Sequence, residues 1–192
     1  MSLLILGLVV FFAVHSISIV ASDWRGDCIA RFGVMPWRVV YALLSTLGLG
    51  LIIWGFSLVR AEPTVPWQAP LWARHMAALL TLAAFILAAA ASVPGNGIQA
   101  AVGHPLLAGV KVWALAHLLA NGRLGDLLLF GSFLVWAIVA FAVARRRDRV
   151  AGKIYPRRGW PRTVATVVLG GVAWVVFARF GHEWLIGVRP FA

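Results

Sequence analysis

The stretch SLLILGLVVFFAVHSISIVA, residues 2–21, decides the fold class of this chain. It has about 20 residues without Lys, Arg, Asp or Glu, and a helix of that length spans the roughly 30 Å hydrocarbon core of a bilayer. Its apolar residues are continuous and do not alternate, which disfavours a membrane barrel. Because it lacks the basic start of a secretory signal, we predict that it is a retained first span.

The rest of the chain has the same character. Of its 192 residues, 62% are hydrophobic and only 12% are charged, and the mean hydropathy is +0.92, well beyond the usage of globular domains. The predicted spans cover residues 2–21, 39–59, 71–93, 104–120, 124–144 and 164–186. Lys111 and His117 make the fourth span the least hydrophobic. We therefore predict an all-α fold, a polytopic transmembrane helix bundle of about six spans, with five also possible.

Polar and helix-breaking segments separate these spans. Residues 22–38 form a polar stretch after the first span, and the prolines of residues 62–70 predict a non-helical surface loop. Pro94 and Gly95 should end the third span, whose many small residues predict close helix contacts. The arginine-rich run at residues 145–149 is predicted to stop the fifth span.

The formal net charge of +11 does not indicate a nucleic-acid partner. Most of the ten Trp and eleven Phe lie in the apolar segments, so the basic residues belong to loops and membrane surfaces, and the lipid bilayer is the predicted partner. The loops after spans one, three and five, counted with Lys111, hold twelve of the 17 Lys and Arg residues. The positive-inside rule then places both termini outside the cytoplasm. No protein partner can be named from the sequence.

Several classes of chemistry are excluded by what the sequence lacks. Cys28 is the only cysteine, so one chain can form neither a disulfide nor a metal site with several cysteines. The sequence contains no phosphate-binding glycine loop, no nucleophile elbow and no metalloprotease helix with two histidines and a glutamate. Carboxylates are too few for a general acid/base pair within the membrane.

His15 and His117 are the first candidates for a functional site. Each lies about thirteen residues into its predicted span, at a depth where an ionisable group costs roughly 2.5–3.5 kcal/mol. One interpretation is a hydrogen bond from each imidazole to a carbonyl or hydroxyl group on a neighbouring helix. The other is that two neutral imidazoles ligate a haem iron inside the bundle. Asn121 lies one helical turn beyond His117.

The predicted depths of the histidines favour other pairs. At 1.5 Å per residue, His15 and His117 differ in height by about 10 Å across a 30 Å core. Depth alone prefers His15 with His104, and His75 with His117. All four histidines are therefore candidate cofactor-binding residues.

Basic residues extend this candidate set. Lys111 lies seven residues after His104, on nearly the same helical face, which predicts a basic pocket for an anionic lipid headgroup or for haem propionates. Arg123 is a further candidate. The alternative for Arg74 and Arg123 is that their side chains extend to the membrane surface. Asp126 is expected to form a salt bridge with Arg123.

Three motifs carry a resemblance to a known family. They are FFAVHSISI (residues 11–19), WARHMA (residues 72–77) and GHPLLAGVKVWALAHLLANGRLGDLLLFGS (residues 103–132). Together they resemble the NnrU family of bacterial membrane proteins over nearly the whole chain. The resemblance implies one domain over residues 1–192, in the bacterial inner membrane with periplasmic termini, and a link to denitrification and nitric oxide metabolism.

The NnrU family is in turn similar to the 15-cis-zeta-carotene isomerase, a membrane enzyme that holds haem b between two histidines. Its ligands lie in a His-Ser motif and in an Ala-His motif thirteen residues after a His-Pro motif. The matching positions are His15, before Ser16, and His117, thirteen residues after His104. The resemblance thus implies haem b as cofactor, His15 and His117 as its metal ligands, and cis-trans isomerisation of a lipophilic polyene. Gly103 stands where the isomerase has an arginine.

Two other functions stay open. The chain could be a non-enzymatic membrane scaffold or assembly factor, in which the histidines only join helices. Its His-Pro pair also resembles the Arg-His-Pro-x-Tyr motif of isoprenylcysteine methyltransferase-like proteins, but Gly103 and Leu107 replace the Arg and the Tyr. The sequence alone therefore does not decide whether the protein is an enzyme.

Overall fold

The computed structural model describes residues 1–61 and 63–190, and no strand occurs among them. The helices are α1 (Ser2–Val20), α2 (Ser22–Phe32), α3 (Val34–Ala61), α4 (Leu71–Ser92), α5 (Gly97–Val102), α6 (Pro105–Ala120), α7 (Leu124–Val150), α8 (Trp160–Val176), a π-helical turn (Phe177–Gly181) and α9 (His182–Ile186). The predicted all-α fold is confirmed.

Five helical segments of the described chain are long and apolar enough to cross a membrane. They are α1, α3, α4, α7 and the continuous segment Trp160–Ile186. Helix α6 is apolar but has only 16 residues. Its length is about 24 Å, short of a roughly 30 Å hydrocarbon core. The polytopic membrane fold is thus confirmed, with five long spans and a shorter helix where the fourth span was predicted.

Two boundaries differ from those predicted. Helix α7 continues through the arginine-rich run to Val150, so the predicted stop after residue 144 was wrong for the helix. Arginine is a good helix former, and its charge opposes burial in lipid without disturbing the helical backbone. The polar stretch at residues 22–38 is also largely helical, in α2 and the start of α3. Residues 63–70 are non-helical as predicted, and Glu62 lies outside the described residues.

Helices α1 and α3 belong to the first of two compact units. This unit comprises Met1–Pro66 and Arg123–Ser132. The two helices pack antiparallel, and their backbones come close at Gly7, Gly48 and Gly55. A Cβ atom on Gly7 would lie only 2.6 Å from the backbone nitrogen of Ile52. Such glycines allow two membrane helices to approach more closely than side chains would permit.

The second unit is built around α4. It comprises Trp67–Gly122 and the described chain from Phe133 onward. Helices α6 and α8 both pack on α4 through glycines. A Cβ atom on Gly109 would lie 3.0 Å from the carbonyl oxygen of Ala84, and one on Gly170 would lie 2.5 Å from Cα of Ile86. The predicted close contacts of the third span are confirmed.

The backbone departs from α-helix at two places in this unit. Gly95 has a φ of 77°, which glycine adopts without strain, and the side chain of Asn96 then caps α5 by accepting a 2.7 Å hydrogen bond from the backbone N–H of Gln99. The predicted break after the third span is therefore confirmed. Near the chain's end, α8 passes into the π-helical turn before α9, where the sequence predicted one uninterrupted span.

Candidate functional site

His15 is half-buried on α1 in the first unit. Its Nδ1 atom lies 2.8 Å from the carbonyl oxygen of Phe11, one turn earlier. The imidazole also stacks on the Phe11 ring with centroids 3.9 Å apart, and the Tyr41 ring lies 5.4 Å away. A carbonyl can only accept, so Nδ1 carries the hydrogen, and in the neutral ring Nε2 carries the lone pair.

His117 has the same local geometry on α6 in the second unit. Its Nδ1 atom lies 2.9 Å from the carbonyl oxygen of Trp113, again one turn earlier, and the two rings are 5.2 Å apart. The Trp113 ring in turn contacts Phe133 edge to face at 5.5 Å. Asn121, one turn later, donates a 2.9 Å hydrogen bond to the backbone carbonyl of His117.

These two histidines fit the donor set that haem iron requires. Histidines that ligate metals usually donate their other ring N–H to a carbonyl or carboxylate, which fixes the tautomer and the orientation of the ring. His15 and His117 both do so through Nδ1. In both, an aromatic residue four positions earlier supplies the carbonyl and a ring contact. In the neutral state each imidazole therefore carries its lone pair on Nε2.

His104 has a different arrangement. Its Nε2 atom lies 2.8 Å from Oδ2 of Asp148, near the end of α7. The Tyr155 hydroxyl donates a 2.9 Å hydrogen bond to the same carboxylate oxygen. Lys153 lies 3.9 Å from the other oxygen, and its pKa is raised, mainly by its hydrogen bond and charge interaction with Tyr155 and also by Asp148. We call His104, Asp148, Lys153 and Tyr155 the Asp148 cluster.

Lys111 and His104 share a face, as their spacing predicted. The Lys111 ammonium lies 3.6 Å from the centre of the Phe141 ring, and the His104 ring contacts the same phenylalanine at 6.5 Å. Gly103 has a φ of 78°, and a Cβ atom there would lie 2.5 Å from Nη1 of Arg145. The guanidinium group from α7 thus occupies the space in which a side chain at position 103 would begin.

The other candidates have different surroundings. In the second unit His75 is exposed on α4. In the first unit Arg123 and Arg60 both act electrostatically on Asp126, which is 5% exposed, and the backbone N–H of Arg123 donates to its carboxylate. These residues and Thr64 line a cavity of about 20 Å³, enough for about one water molecule. The predicted salt bridge between the Asp126 and Arg123 side chains stays a prediction, and Arg60 is a second cation that acts on the carboxylate.

A comparison with protein families identifies the chain. The family model described as "NnrU protein" matches residues 3–190. The chain belongs to the NnrU family. No curated protein and no solved structure matched it significantly. The region matched by the NnrU model contains all five histidines, including His182, which the sequence patterns did not single out.

The sequence patterns of this NnrU protein did not predict the Asp148 cluster. Asp148 was read only as part of the arginine-rich run that ends a span. The one available signal was an isolated acid among four arginines, followed seven residues later by Tyr155. Its partner His104 is far away in the sequence, and only packing in the second unit brings the two together.

We expect Asp148→Asn to lower the melting temperature of the NnrU protein by several degrees. Asp148 is 8% exposed, and loss of its carboxylate leaves His104, Tyr155 and Lys153 without their shared acceptor. Thermal unfolding in detergent, followed by circular dichroism, measures the change. Asp27→Asn is the matched control, because Asp27 is exposed on α2. Equal melting temperatures for the two variants would show that the cluster does not stabilise the fold.

Proposed function

We propose that this NnrU protein is a multi-pass haem b protein of the bacterial inner membrane, with His15 and His117 as the axial ligands. The observation that carries the proposal is that the two imidazoles have the same tautomer, fixed by the same kind of hydrogen bond. Both donate Nδ1–H to a carbonyl one turn earlier, so in the neutral ring the lone pair that would bind iron is on Nε2. Haem would supply an iron centre able to bind small ligands or change oxidation state.

The surroundings of each histidine support this assignment. Phe11 stacks on His15, and Trp113 lies against His117, so both rings are held by packing as well as by hydrogen bonds. A ligand whose orientation is fixed before binding loses less conformational entropy when it coordinates the metal. Apolar and aromatic neighbours also suit the macrocycle, which is itself largely apolar.

The same reasoning ranks the rival histidines lower. His104 already uses Nε2 toward Asp148, so ligation through that atom would separate a buried carboxylate from its partner. His75 is exposed on α4, and nothing described around it fixes its ring. The pairs preferred by predicted depth, His15 with His104 and His75 with His117, are therefore less well supported than His15 with His117.

The orientation of the chain remains part of this proposal. Most Lys and Arg residues lie in the predicted loops on one side of the membrane, which favours periplasmic termini. Lys111 and Arg123 are proposed as additional cofactor-binding residues, because each presents a cation that can pair with a haem propionate. Lys111 contacts Phe141, and Arg123 lies beside Asp126.

The family resemblance suggests two uses for the haem. One is a step in denitrification or nitric oxide metabolism. The other is cis-trans isomerisation of a lipophilic polyene, which the His-Ser and His-Pro...Ala-His motifs around His15, His104 and His117 favour. Nitric oxide should change the spectrum of the reduced protein if the first applies. Conversion of a cis-polyene, followed by chromatography, tests the second.

The test of the proposal is the absorption spectrum of the purified protein. After growth with haem available, we expect a sharp Soret band and one haem b per chain, measured as the pyridine complex. Apoprotein titrated with haemin should give the same spectrum. A folded, colourless protein that takes up no haemin would reject the proposal and favour the membrane scaffold. Binding of S-adenosylmethionine instead would favour the methyltransferase-like alternative.

A further inference from the structure

His182 shares the chemical state of the two proposed ligands. It follows directly after the π-helical turn Phe177–Gly181, at the start of α9. Its Nδ1 atom lies 2.7 Å from the carbonyl oxygen of Val188, which can only accept. The neutral ring therefore carries its lone pair on Nε2, as in His15 and His117.

The packing on α4 places His182 at the level of His117. Both α6 and α8 run antiparallel to α4, and the fixed contacts are Gly109 with Ala84 and Gly170 with Ile86. His117 is eight residues beyond the first glycine and His182 twelve beyond the second. At 1.5 Å per residue, these are about 12 Å and 18 Å toward the same end of α4. Ile86 lies about 3 Å farther from that end of α4 than Ala84 does. His182 therefore lies only about 3 Å beyond His117 along the α4 axis.

A further contact supports this register. Trp174 of α8, four residues after Gly170, donates a 3.0 Å hydrogen bond from Nε1 to the hydroxyl oxygen of Thr81 on α4, five residues before Ile86. His117 and His182 therefore lie toward the same end of α4.

The π-helical turn sets the direction of His182. A π turn holds one extra residue, which rotates the residues after it by about 100° relative to an uninterrupted α-helix. The Phe177 ring lies 6.0 Å from the His182 ring and 5.5 Å from the Phe85 ring of α4. A Cβ atom on Gly181 would lie 2.7 Å from the Phe177 ring. Glycine at this position thus allows Phe177 to brace His182 against α4.

We propose that His182 is a positioning residue for the iron bound at His117, with its Nε2 lone pair directed toward that ligand's side of the haem. The inference rests on the proposed function. A lone pair near the iron stabilises the more positive, oxidised state and so lowers the reduction potential. The hydrogen bond to Val188 keeps the ring in this orientation.

The reduction potential of the haem tests the proposal. In His182→Leu we expect the Soret band to remain and the midpoint potential to rise, by a several-fold to tenfold change in the oxidised-to-reduced ratio, where tenfold corresponds to about 59 mV. His182→Gln, whose amide oxygen also offers a lone pair, should shift less. Trp184→Ala is the control, because Trp184 is 84% exposed on α9.

A second measurement tests the placement without haem. In a Cys28→Ser background, cysteines at positions 117 and 182 should be joined by a short bifunctional maleimide, whereas cysteines at 115 and 182 should not, because Leu115 lies on another face of α6. No cross-link at 117 and 182 would overturn the inference. An unchanged potential in His182→Leu would also overturn it and leave the proposed function standing. Failure of the unsubstituted chain to take up haemin would reject both, whatever the cross-link shows.

Discussion

Replacing His117 by glycine should remove the Soret band, and imidazole added to the solution should restore it. The glycine leaves a space of the shape of the lost ring, which free imidazole can enter to ligate the iron. Haem affinity should fall on the order of a hundredfold or more, since even partners that only orient a ligand account for 10–100-fold. Haemin titration of the purified variant, with and without imidazole, measures the loss and the recovery.

His15→Gly should behave in the same way, and His75→Gly is the matched control because its side chain is exposed. Restoration by imidazole separates ligation from a structural role. A histidine that only bonds to its own helix would not be replaced by a free ring with no backbone attachment. If His15→Gly and His117→Gly keep the band while His75→Gly or His104→Gly loses it, the pairing by depth is correct and our assignment is wrong.

The fold class could be predicted because its cause is local. A continuous apolar run such as residues 2–21 has few alternatives to a membrane helix, whatever the rest of the chain does. Boundaries were less certain, because the charges at residues 145–149 act on burial in lipid and not on helix formation. The π-helical turn Phe177–Gly181 could not be predicted, since it depends on how α8 packs on α4.

In the candidate site, too, some contacts have a local cause and others depend on tertiary packing. Phe11 and Trp113, each four residues before a candidate histidine, were visible in the sequence and give the carbonyl and ring contacts of His15 and His117. The pairing of His104 with Asp148 was not visible, because no periodic pattern links residues so distant in sequence. The predicted hydrogen-bond acceptor on a neighbouring helix was wrong for Nδ1, because both acceptors lie one turn earlier on the histidine's own helix. The partner of His104 required tertiary packing.

A methyl group at Gly55 should separate α1 from α3. A Cβ atom there would lie against the backbone of Leu4, which cannot move aside as a flexible side chain can. We expect Gly55→Ala to lower the free energy of unfolding by about 1–3 kcal/mol. Titration of the detergent-solubilised protein with a denaturing detergent, followed by circular dichroism, measures the loss.

Gly50→Ala on the same helix should instead raise the free energy of unfolding. A Cβ atom at Gly50 would meet nothing within 4 Å, so the substitution adds only the better helix propensity of alanine, about 0.8–1.0 kcal/mol. The two variants, identical in chemistry, should therefore differ by about 2–4 kcal/mol. Equal stabilities would mean that α1 and α3 do not touch at Gly55.

Haem uptake by Gly55→Ala is a second measurement. Because α1 carries His15, displacement of this helix should weaken haem binding even though Gly55 is not one of the proposed ligands.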